Sequence, residues 1–262
     1  LTRRIILVNT VEYEPLSNQI GYLKISSFSK LTEKQLEKHL AQANQEKIKG
    51  IILDLRGNPG GLLHQSVKVA SHFLFKGRMV VYTQGRSKDD YREYKSLYNK
   101  SFHKLPVAVL INQYSASASE IVAGALRDSG NALLIGENSY GKGSVQTIFR
   151  VSDGSGVRLT TSKYFTPSGV DITKNGVIPE VHIIDDVIEE TSNVKKKRNI
   201  LHTTLTLKLS KLKKFFDKQG VAHSNNKDAT VELARRILKS SHKANRKLSL
   251  DKAREIAANI NY

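Results

Sequence analysis

The sequence contains no cysteine. That absence excludes disulfide bonds, thiol catalysis and cysteine-based zinc sites, although it does not fix the cellular compartment. No stretch approaches the roughly 18 uncharged apolar residues that a membrane-spanning helix requires. The eight histidines form no His-Glu-x-x-His pattern and show no metal-ligand spacing. We therefore expect no membrane span, no metal and no cofactor.

The sequence also lacks an apolar signal segment, and it begins with Leu1 rather than Met. Both observations predict that the chain is part of a longer precursor. Its 262 residues, of which 39% are hydrophobic, suffice to bury the core of one large domain, or of one domain with a small appendage.

Positive charge is concentrated at the carboxyl end of the chain. The formal net charge is +18, of which residues 191–262 carry +13 and residues 1–190 carry +5. The basic character therefore belongs mainly to the tail and does not indicate what the rest of the chain does. Aromatic residues, which would favour nucleic-acid binding, are sparse in this tail: they are Phe215, Phe216 and Tyr262.

The hydrophobic pattern up to residue 186 alternates between strands and helices, which predicts an α/β layer architecture. Continuous apolar runs or alternating patterns predict strands at 20–26, 50–55, 79–83, 107–111 and 132–135, and a hairpin of 145–149 with 157–164. Helical patterns cover residues 32–44, 62–74 and 119–129. Thr32 and Gln35 match a capping box at the start of the first helix.

Beyond residue 186 the apolar pattern weakens, and Lys195-Lys-Lys-Arg198 predicts a linker. Helices are expected at about 204–217, 228–240 and 249–260, with Asp228 and Ser249 as N-caps of the last two. This tail could cover the core, form a dimer contact or lie on an anionic surface such as lipid headgroups. A solvated basic appendage is the expected arrangement.

Three segments are rich in glycine or serine, and two of them fit a functional site and an ordinary turn or helix cap equally well. Each follows a buried strand, where α/β proteins usually keep their sites. Asp54-Leu-Arg-Gly-Asn-Pro-Gly-Gly61 can point backbone N–H groups at an oxyanion or a phosphate, but an ordinary turn explains it too. Asn112-Gln-Tyr-Ser-Ala-Ser-Ala-Ser-Glu120 would place a serine at the positive end of a helix, and a plain helix cap explains it equally well.

The third segment, Gly136-Glu-Asn-Ser-Tyr-Gly-Lys-Gly-Ser144, nearly matches a nucleotide-binding loop. Nucleotide binding is a weak alternative, because position 143 is glycine where that loop needs Ser or Thr, and a strand pattern follows where it needs a helix. Lys142 is better explained as a general base. A desolvated lysine has a lowered pKa, and its neutral amine can accept a proton from a serine hydroxyl. A solvated surface charge is the ordinary alternative.

Taken together, these motifs resemble the carboxyl-terminal processing peptidases, also called tail-specific proteases. The resemblance rests on residues 54–61 and on Ser115-Ala-Ser-Ala-Ser-Glu120, Gly141-Lys-Gly-Ser-Val-Gln146 and Tyr164-Phe-Thr-Pro-Ser-Gly169. They occur in the family's order and at similar spacing, over roughly residues 20–183. Gly176-Val-Ile-Pro-Glu180 is a further similar segment. Four linked motifs are far more specific than any one of them.

The resemblance implies a serine endopeptidase that cleaves polypeptides near their C-termini through an acyl-enzyme. It also implies a role for each matching residue: Ser117 as nucleophile with Ser115 and Ser119 as decoys, Lys142 as base, Gln146 orienting that lysine, the backbone N–H groups of Gly61 and Ala118 as oxyanion donors, and Glu120 and Asp128 as supporting acids. The implied partners are polypeptides with exposed C-termini. The implied location is the bacterial cell envelope, periplasmic or otherwise exported.

The implied fold is a ββα superhelix like those of crotonase and Clp protease. We expect residues 1–19 to be the segment that follows a missing PDZ-like domain, residues 20–186 to be the peptidase core, and residues 187–262 to be a basic, mostly helical C-terminal region. Homo-oligomerisation is an open possibility that the sequence does not decide.

Two other classes of function stay open. A catalytically silent protein of the same fold would bind peptides without cleaving them, although intact Ser117, Lys142 and Gln146 argue against it. A nucleic-acid-binding protein would use the basic tail. No nucleic acid is expected as a partner, because that tail lacks interleaved aromatic residues.

Overall fold

The computed structural model describes residues 8–99, 101–185, 205–219, 228–241 and 245–261. Alternating strands and helices confirm the predicted α/β architecture, while the predicted linker at 195–198 lies outside the described residues. The strands are β1 (Val11–Leu16), β2 (Ile20–Ile25), β3 (Gly50–Asp54), β4 (Met79–Gly85), β5 (Arg92–Lys95), β6 (Val107–Ile111), β7 (Ala132–Gly136), β8 (Ser144–Arg150), β9 (Gly156–Phe165), β10 (Val181–Ile184) and β11 (Leu205–Lys208). The helices are α1 (Thr32–Gln45), α2 (Leu63–Ser71), α3 (Ala118–Asp128), α4 (Ile172–Asn175), α5 (Leu209–Lys218), α6 (Ala229–Lys239) and α7 (Arg246–Asn261).

A seven-stranded sheet in the order β1-β2-β3-β6-β7-β10-β11 forms the centre of the protein. All neighbouring strands from β2 to β11 run parallel, and β1 pairs antiparallel with β2. Parallel strands end at the same edge of a sheet. The segments that follow β3, β6 and β7 are therefore brought together there, as expected for a site in an α/β protein.

Helices cover both faces of this sheet, which explains the continuous apolar runs in its central strands. On the first face, Leu53 of β3 belongs to a buried cluster with residues of α1, α2 and α3. On the second face, its neighbour Ile52 belongs to a separate buried cluster with Leu233 and Ile237 of α6 and with residues of α5 and α7. Successive residues of one strand thus fill two cores.

The described part of the basic tail covers the core. Strand β11 extends the sheet beyond β10, and α5, α6 and α7 supply the apolar side chains of the second core. Of the arrangements left open by the sequence, covering the core is therefore the one observed for these helices, in place of the expected solvated appendage. The reason is that the second sheet face is apolar and has to be removed from water.

A smaller four-stranded sheet has the order β5-β4-β9-β8, so β8 lies at its edge. Strands β8 and β9 form the predicted hairpin. Its distal part projects from the core and exposes Ile148, Phe149 and Leu159. Lys142, two residues before β8, is placed at the base of this hairpin.

Two of the predicted helix caps are wrong. Helix α1 has Leu31 as its N-cap, and the Gln35 side chain instead accepts a hydrogen bond from the backbone N–H of Thr10 at 2.8 Å. Helix α7 begins at Arg246, which leaves Ser249 inside the helix, where its hydroxyl lies 3.2 Å from that of Ser241. In both cases a tertiary hydrogen bond uses the polar side chain that the local pattern assigned to a cap.

The described residues contain neither a helix that is long and apolar enough to span a membrane nor a cluster of three or more potential metal-ligating side chains.

Candidate active site

Three loops meet at the carboxyl edge of the parallel sheet. The turn after β3 donates its Gly57 N–H to the side chain of Asn112, which follows β6, at 2.9 Å. The loop after β7 donates the Tyr140 N–H to the carbonyl oxygen of Ser115 at 3.0 Å. These hydrogen bonds join the three segments that the sequence singled out into one surface.

Ser117 stands at the first turn of α3 with an unusual backbone conformation. Its φ is +54° and its ψ is −110°, although it carries a side chain. A non-glycine residue with positive φ costs free energy and persists only where its surroundings hold it. Here the Ser117 N–H is fixed by the Glu120 carboxylate at 2.7 Å, and the Ser117 carbonyl accepts the N–H of Ile121 at 3.0 Å.

The three serines of the segment differ in what their hydroxyls do. Ser115 and Ser119 are fully buried, and their hydroxyls donate to the backbone carbonyls of Leu55 at 2.8 Å and Asn58 at 2.9 Å. Ser117 is partly exposed, and its hydroxyl donates no hydrogen bond within the described part of the chain. Of the three, Ser117 is the one whose hydroxyl is accessible and donates to no carbonyl oxygen of the described residues; on its acceptor side it faces the backbone N–H of Glu120 in a capping box.

The glycine turn, residues 57–61, packs directly against Ser117. A Cβ atom on Gly60 would lie 2.6 Å from the carbonyl oxygen of Ala116 and 2.8 Å from the Cβ of Ser117. Only glycine allows this approach. Asn58 holds the turn in shape, because its side chain donates to the Ile25 carbonyl at 2.7 Å and accepts the Gly60 N–H at 2.8 Å.

Two backbone N–H groups beside Ser117 are not engaged. Those of Gly61 and Ala118 donate to no group among the described residues, whereas the Gly60 N–H is bound to Asn58. The Ala118 nitrogen lies 3.0 Å from the place that a Cβ on Gly60 would occupy, so the turn and the start of α3 are adjacent. Neighbouring free donors of this kind can bind a developing oxyanion.

Glu120 connects the Ser117 segment to the Lys142 segment. Its fully buried carboxylate accepts the N–H groups of Ser117 at 2.7 Å and Lys142 at 2.9 Å on one oxygen, and the Gly141 N–H at 2.7 Å and the Ser139 hydroxyl at 2.5 Å on the other. Burial raises the pKa of Glu120 above its ordinary value, although these hydrogen bonds act in the opposite direction.

The Lys142 side chain is exposed, which differs from the expectation of a desolvated amine. It lines an open cavity of about 570 Å³ together with Pro59, Tyr114, Ala116 and Tyr140. Within the residues that the structure describes, its amine makes no hydrogen bond or ion pair, including none with Ser117. The exposure follows from the position of Lys142 at the base of a hairpin whose first strand is a sheet edge, with no layer packed over it.

Gln146 is also exposed, on edge strand β8 opposite Thr160. Its side chain makes no hydrogen bond to another described residue. Asp128, at the last residue of α3, accepts both the N–H and the hydroxyl of Ser168, at 2.9 Å and 2.6 Å, and pairs with Arg127 at 2.8 Å. Burial opposes ionisation, but Arg127 and Ser168 together hold the pKa of Asp128 below its ordinary value.

Sequence reasoning did not single out Asn58, Gly60 or Ser139, although each shapes the site. Asn58 and Gly60 lie inside a motif that was noticed for other residues. Ser139 donates to Glu120 and accepts the N–H of Val177 at 2.6 Å. A polar residue inside an otherwise glycine-rich loop was the available signal, but its partners are distant in sequence and could not be identified.

The chain is similar in sequence to known proteins. The model of Peptidase family S41 matches residues 19–183. The carboxy-terminal-processing protease of Bartonella bacilliformis is 43% identical over 185 residues, which cover 69% of this chain and 42% of that protein. The chloroplastic C-terminal processing peptidase of Tetradesmus obliquus is 35% identical over 201 residues, which cover 72% of this chain and 43% of that protein.

A solved structure has a similar fold. The photosystem II D1 C-terminal processing protease superimposes with a TM-score of 0.63 at 35% identity, over 69% of this chain and 50% of that one. The chain therefore spans about two-fifths to one half of the length of these relatives.

Proposed function

Because this chain belongs to Peptidase family S41, we propose that it is a serine endopeptidase that cleaves polypeptides near their C-termini. The observation that carries the proposal is the strained Ser117, whose accessible hydroxyl lies beside two unengaged backbone N–H groups. Strained residues cluster at functional sites, and the nucleophilic serine of α/β-hydrolases likewise sits on a strained turn before a helix.

In the proposed reaction the Ser117 Oγ attacks the carbonyl carbon of a peptide bond, and Lys142 Nζ accepts the hydroxyl proton. A tetrahedral intermediate forms, and Lys142 returns the proton to the leaving amine as the C–N bond breaks. Water then hydrolyses the acyl-enzyme and restores the serine. Gln146 orients the lysine, and no metal or cofactor takes part.

The N–H groups of Gly61 and Ala118 stabilise the oxyanion of the tetrahedral intermediate. Removing one such donor costs about 2.7–4 kcal/mol of transition-state stabilisation. Glu120 and Asp128 support the site without contacting the substrate: Glu120 by binding the backbones of Ser117 and Lys142, and Asp128 by holding the far end of α3.

The exposure of Lys142 is compatible with this chemistry if the substrate itself excludes water. The cavity beside it is lined by Tyr114, Tyr140, Pro59 and Ala116, which present apolar surface. A peptide that fills this cavity would exclude water from the amine and so favour its neutral form, which can accept a proton. The backbone nitrogens of Ser117 and Lys142 bind the same Glu120 oxygen, at 2.7 Å and 2.9 Å, so the two residues lie close together. A lysine side chain is long enough to span the distance between them.

The remaining expectations from the sequence are part of the proposal. They are a crotonase- and Clp-like ββα superhelix, a core at 20–186 with a basic C-terminal region at 187–262, and a segment before residue 20 that follows a PDZ-like domain. The proposed location is the bacterial cell envelope, and the proposed partners are polypeptides with exposed C-termini. Membrane contact through the tail and homo-oligomerisation are secondary proposals.

Cleavage of an unfolded protein by the 262-residue chain tests the proposed function. Ser117→Ala and Lys142→Ala should abolish it, with wild-type products mapping near the substrate's C-terminus by mass spectrometry. Ser115→Ala and Ser119→Ala should lower the melting temperature and retain cleavage. Activity that survives in Ser117→Ala but not in a neighbouring serine variant would overturn the assignment. Peptide binding without any cleavage by the wild type would favour the silent alternative.

A further inference from the structure

Arg56 lies between the end of β3 and the glycine turn, and two carboxylates hold its guanidinium. Asp54 binds its Nε at 3.0 Å and its second terminal nitrogen at 2.5 Å. Asp228 binds the other terminal nitrogen at 2.6 Å. Asp54 is almost fully buried and also accepts the hydroxyl of Tyr22 at 2.8 Å. The planar guanidinium is therefore fixed at both ends.

Asp228 uses its two carboxylate oxygens for different purposes. One is the N-cap of α6 and accepts the N–H of Thr230 at 2.8 Å. The other binds Arg56. The ion pair thus joins the N-cap residue of α6, in the layer on the second sheet face, to the residue directly before the glycine turn.

A short chain of contacts leads from Arg56 to the nucleophile. The next residue, Gly57, is bound to Asn112 at 2.9 Å, and Asn58 accepts the N–H of Ala116 at 3.0 Å on its carbonyl oxygen. Gly60 then contacts Ser117 directly. A displacement of Arg56 would consequently be transmitted along the turn to Gly61 beside the reacting carbonyl.

We propose that Arg56 and Asp228 are positioning residues, through which α6 holds the glycine turn in the orientation that presents the Gly61 N–H to the oxyanion. The inference rests on the proposed peptidase function for its catalytic consequence. It gives the basic C-terminal region a part in the geometry of the active site. Neither residue contacts the substrate.

Asp228→Ser in the 262-residue chain is the principal test. Serine is a good N-cap, so α6 keeps an acceptor for its first N–H groups, but the shorter side chain does not reach Arg56. We expect faster hydrogen exchange in residues 55–62, a roughly 10- to 100-fold lower kcat, and a KM close to that of the wild type. Affinity for a peptide boronate, whose adduct on Ser117 occupies the oxyanion site, should fall by the same factor as kcat.

Arg56→Lys is the companion variant. A single ammonium group cannot bridge both carboxylates as the guanidinium does, so the same changes are expected. Combining Arg56→Lys with Asp228→Ser should add little to these changes, because both variants remove the same ion pair, that between Arg56 and Asp228. Glu232→Gln is the matched control: it breaks the ion pairs of α6 with Arg235 and Arg236 but touches nothing in the turn. It should leave exchange in residues 55–62 and boronate affinity unchanged.

The proposal is overturned if Asp228→Ser keeps wild-type exchange in residues 55–62, or if Glu232→Gln accelerates it equally. Hydrogen exchange does not depend on cleavage. A wild-type chain that cleaves nothing would therefore remove the proposed function, while faster exchange confined to Asp228→Ser and Arg56→Lys would still support the connection between α6 and the turn.

Discussion

At the scale of single residues, four donors converge on the carboxylate of Glu120. A carboxylate has enough lone pairs for all of them, and charge makes each hydrogen bond stronger than a neutral one. A glutamine has the same shape but offers one oxygen and one NH₂ group. Either Ser117 and Lys142 or Ser139 and Gly141 would then face a donor instead of an acceptor.

Glu120→Gln should therefore lower both stability and activity. Each buried donor left without an acceptor costs about 1–3 kcal/mol, and displacement of the Ser117 backbone should reduce kcat roughly 10- to 100-fold. Chemical denaturation and peptide cleavage measure the two effects. Glu180→Gln is the control, because Glu180 is a largely buried carboxylate, 14% exposed, that also accepts a backbone N–H, that of Leu134 at 2.9 Å. It should lose stability alone; equal kcat in both variants would contradict the role of Glu120.

Gly60→Ala should nearly abolish activity. Its Cβ would lie 2.6 Å from the Ala116 carbonyl oxygen, so the backbone beside Ser117 must shift, and its φ of +99° adds strain. The control is Gly77→Ala, where φ is +81° and no atom lies within 4 Å of the added carbon. That variant should lose about 1 kcal/mol of stability and keep wild-type kcat. Comparable activities in the two variants would show that close packing at Gly60 is dispensable.

Several properties of the site residues could not be predicted from the sequence. The family resemblance pointed to Ser117, whereas the local pattern alone fitted a helix cap equally well; the positive φ of Ser117 and the burial of Ser115 and Ser119 could not be predicted from either. The exposure of Lys142 could not be predicted, because it depends on β8 being a sheet edge, and edges are a property of strand order. The roles of Asn58 and Ser139 depend on partners that lie 19 to 38 residues away.

At the scale of elements, α3 is held at both of its ends. Its first turn is bound to the lysine segment through Glu120, and its last residue, Asp128, binds the turn after β9 through Ser168. The second connection depends on ionisation. Because the folded state lowers the pKa of Asp128, its contribution to stability is present above the pKa of the unfolded chain and is lost as the pH falls towards the folded value.

Asp128→Asn should accordingly flatten the acid limb of the stability curve. With an ordinary pKa of 3.8, the contribution of Asp128 is complete at neutral pH and declines below about pH 4. The measurement is the unfolding free energy of the wild type minus that of Asp128→Asn, followed from pH 7 to pH 2. That difference should be largest at neutral pH and should shrink on acidification. A difference independent of pH would mean that Asp128 acts without its charge.

Periodicity predicted most elements because the central strands are short runs of apolar residues. The strand expected at 107–111 is β6, and the helix expected at 119–129 is α3 with a shift of one residue. Strands β1, β5, β10 and β11 were missed, and β11 lies where the pattern predicted the start of a helix. Strands β5, β10 and β11 have four residues each, too few to separate a strand pattern from a loop, and β1, β10 and β11 are specified mainly by their pairing in the sheet.

At the scale of the whole molecule, the described helices after residue 204 form a layer of the fold. Ile52, Leu110 and Leu133 of the central strands are buried against this layer. Without it, one face of the parallel sheet would be exposed to water, and parallel sheets are stable almost only when both faces are covered.

A chain that ends at residue 185 should therefore fail to fold as a monomer, even though it retains every proposed catalytic residue. Size-exclusion chromatography should show aggregates, and thermal scans should show no cooperative transition. A chain that ends at residue 241 is the comparison, because it keeps α6, which contacts β2, β3, β6 and β7. It should fold with reduced stability. A stable, monomeric chain ending at 185 would show that the second layer is dispensable for folding.

The carboxylate of Glu120 also limits which movements can bring the Lys142 amine to Ser117. One of its oxygens binds both the Ser117 and the Lys142 backbones, so a gate that drew these loops apart would strip partners from a buried anion. Rotation about the side-chain bonds of the exposed Lys142 requires no such loss. Forms of the site with and without the amine beside Ser117 should therefore have the same backbone conformation and differ only in the side-chain torsion angles of Lys142.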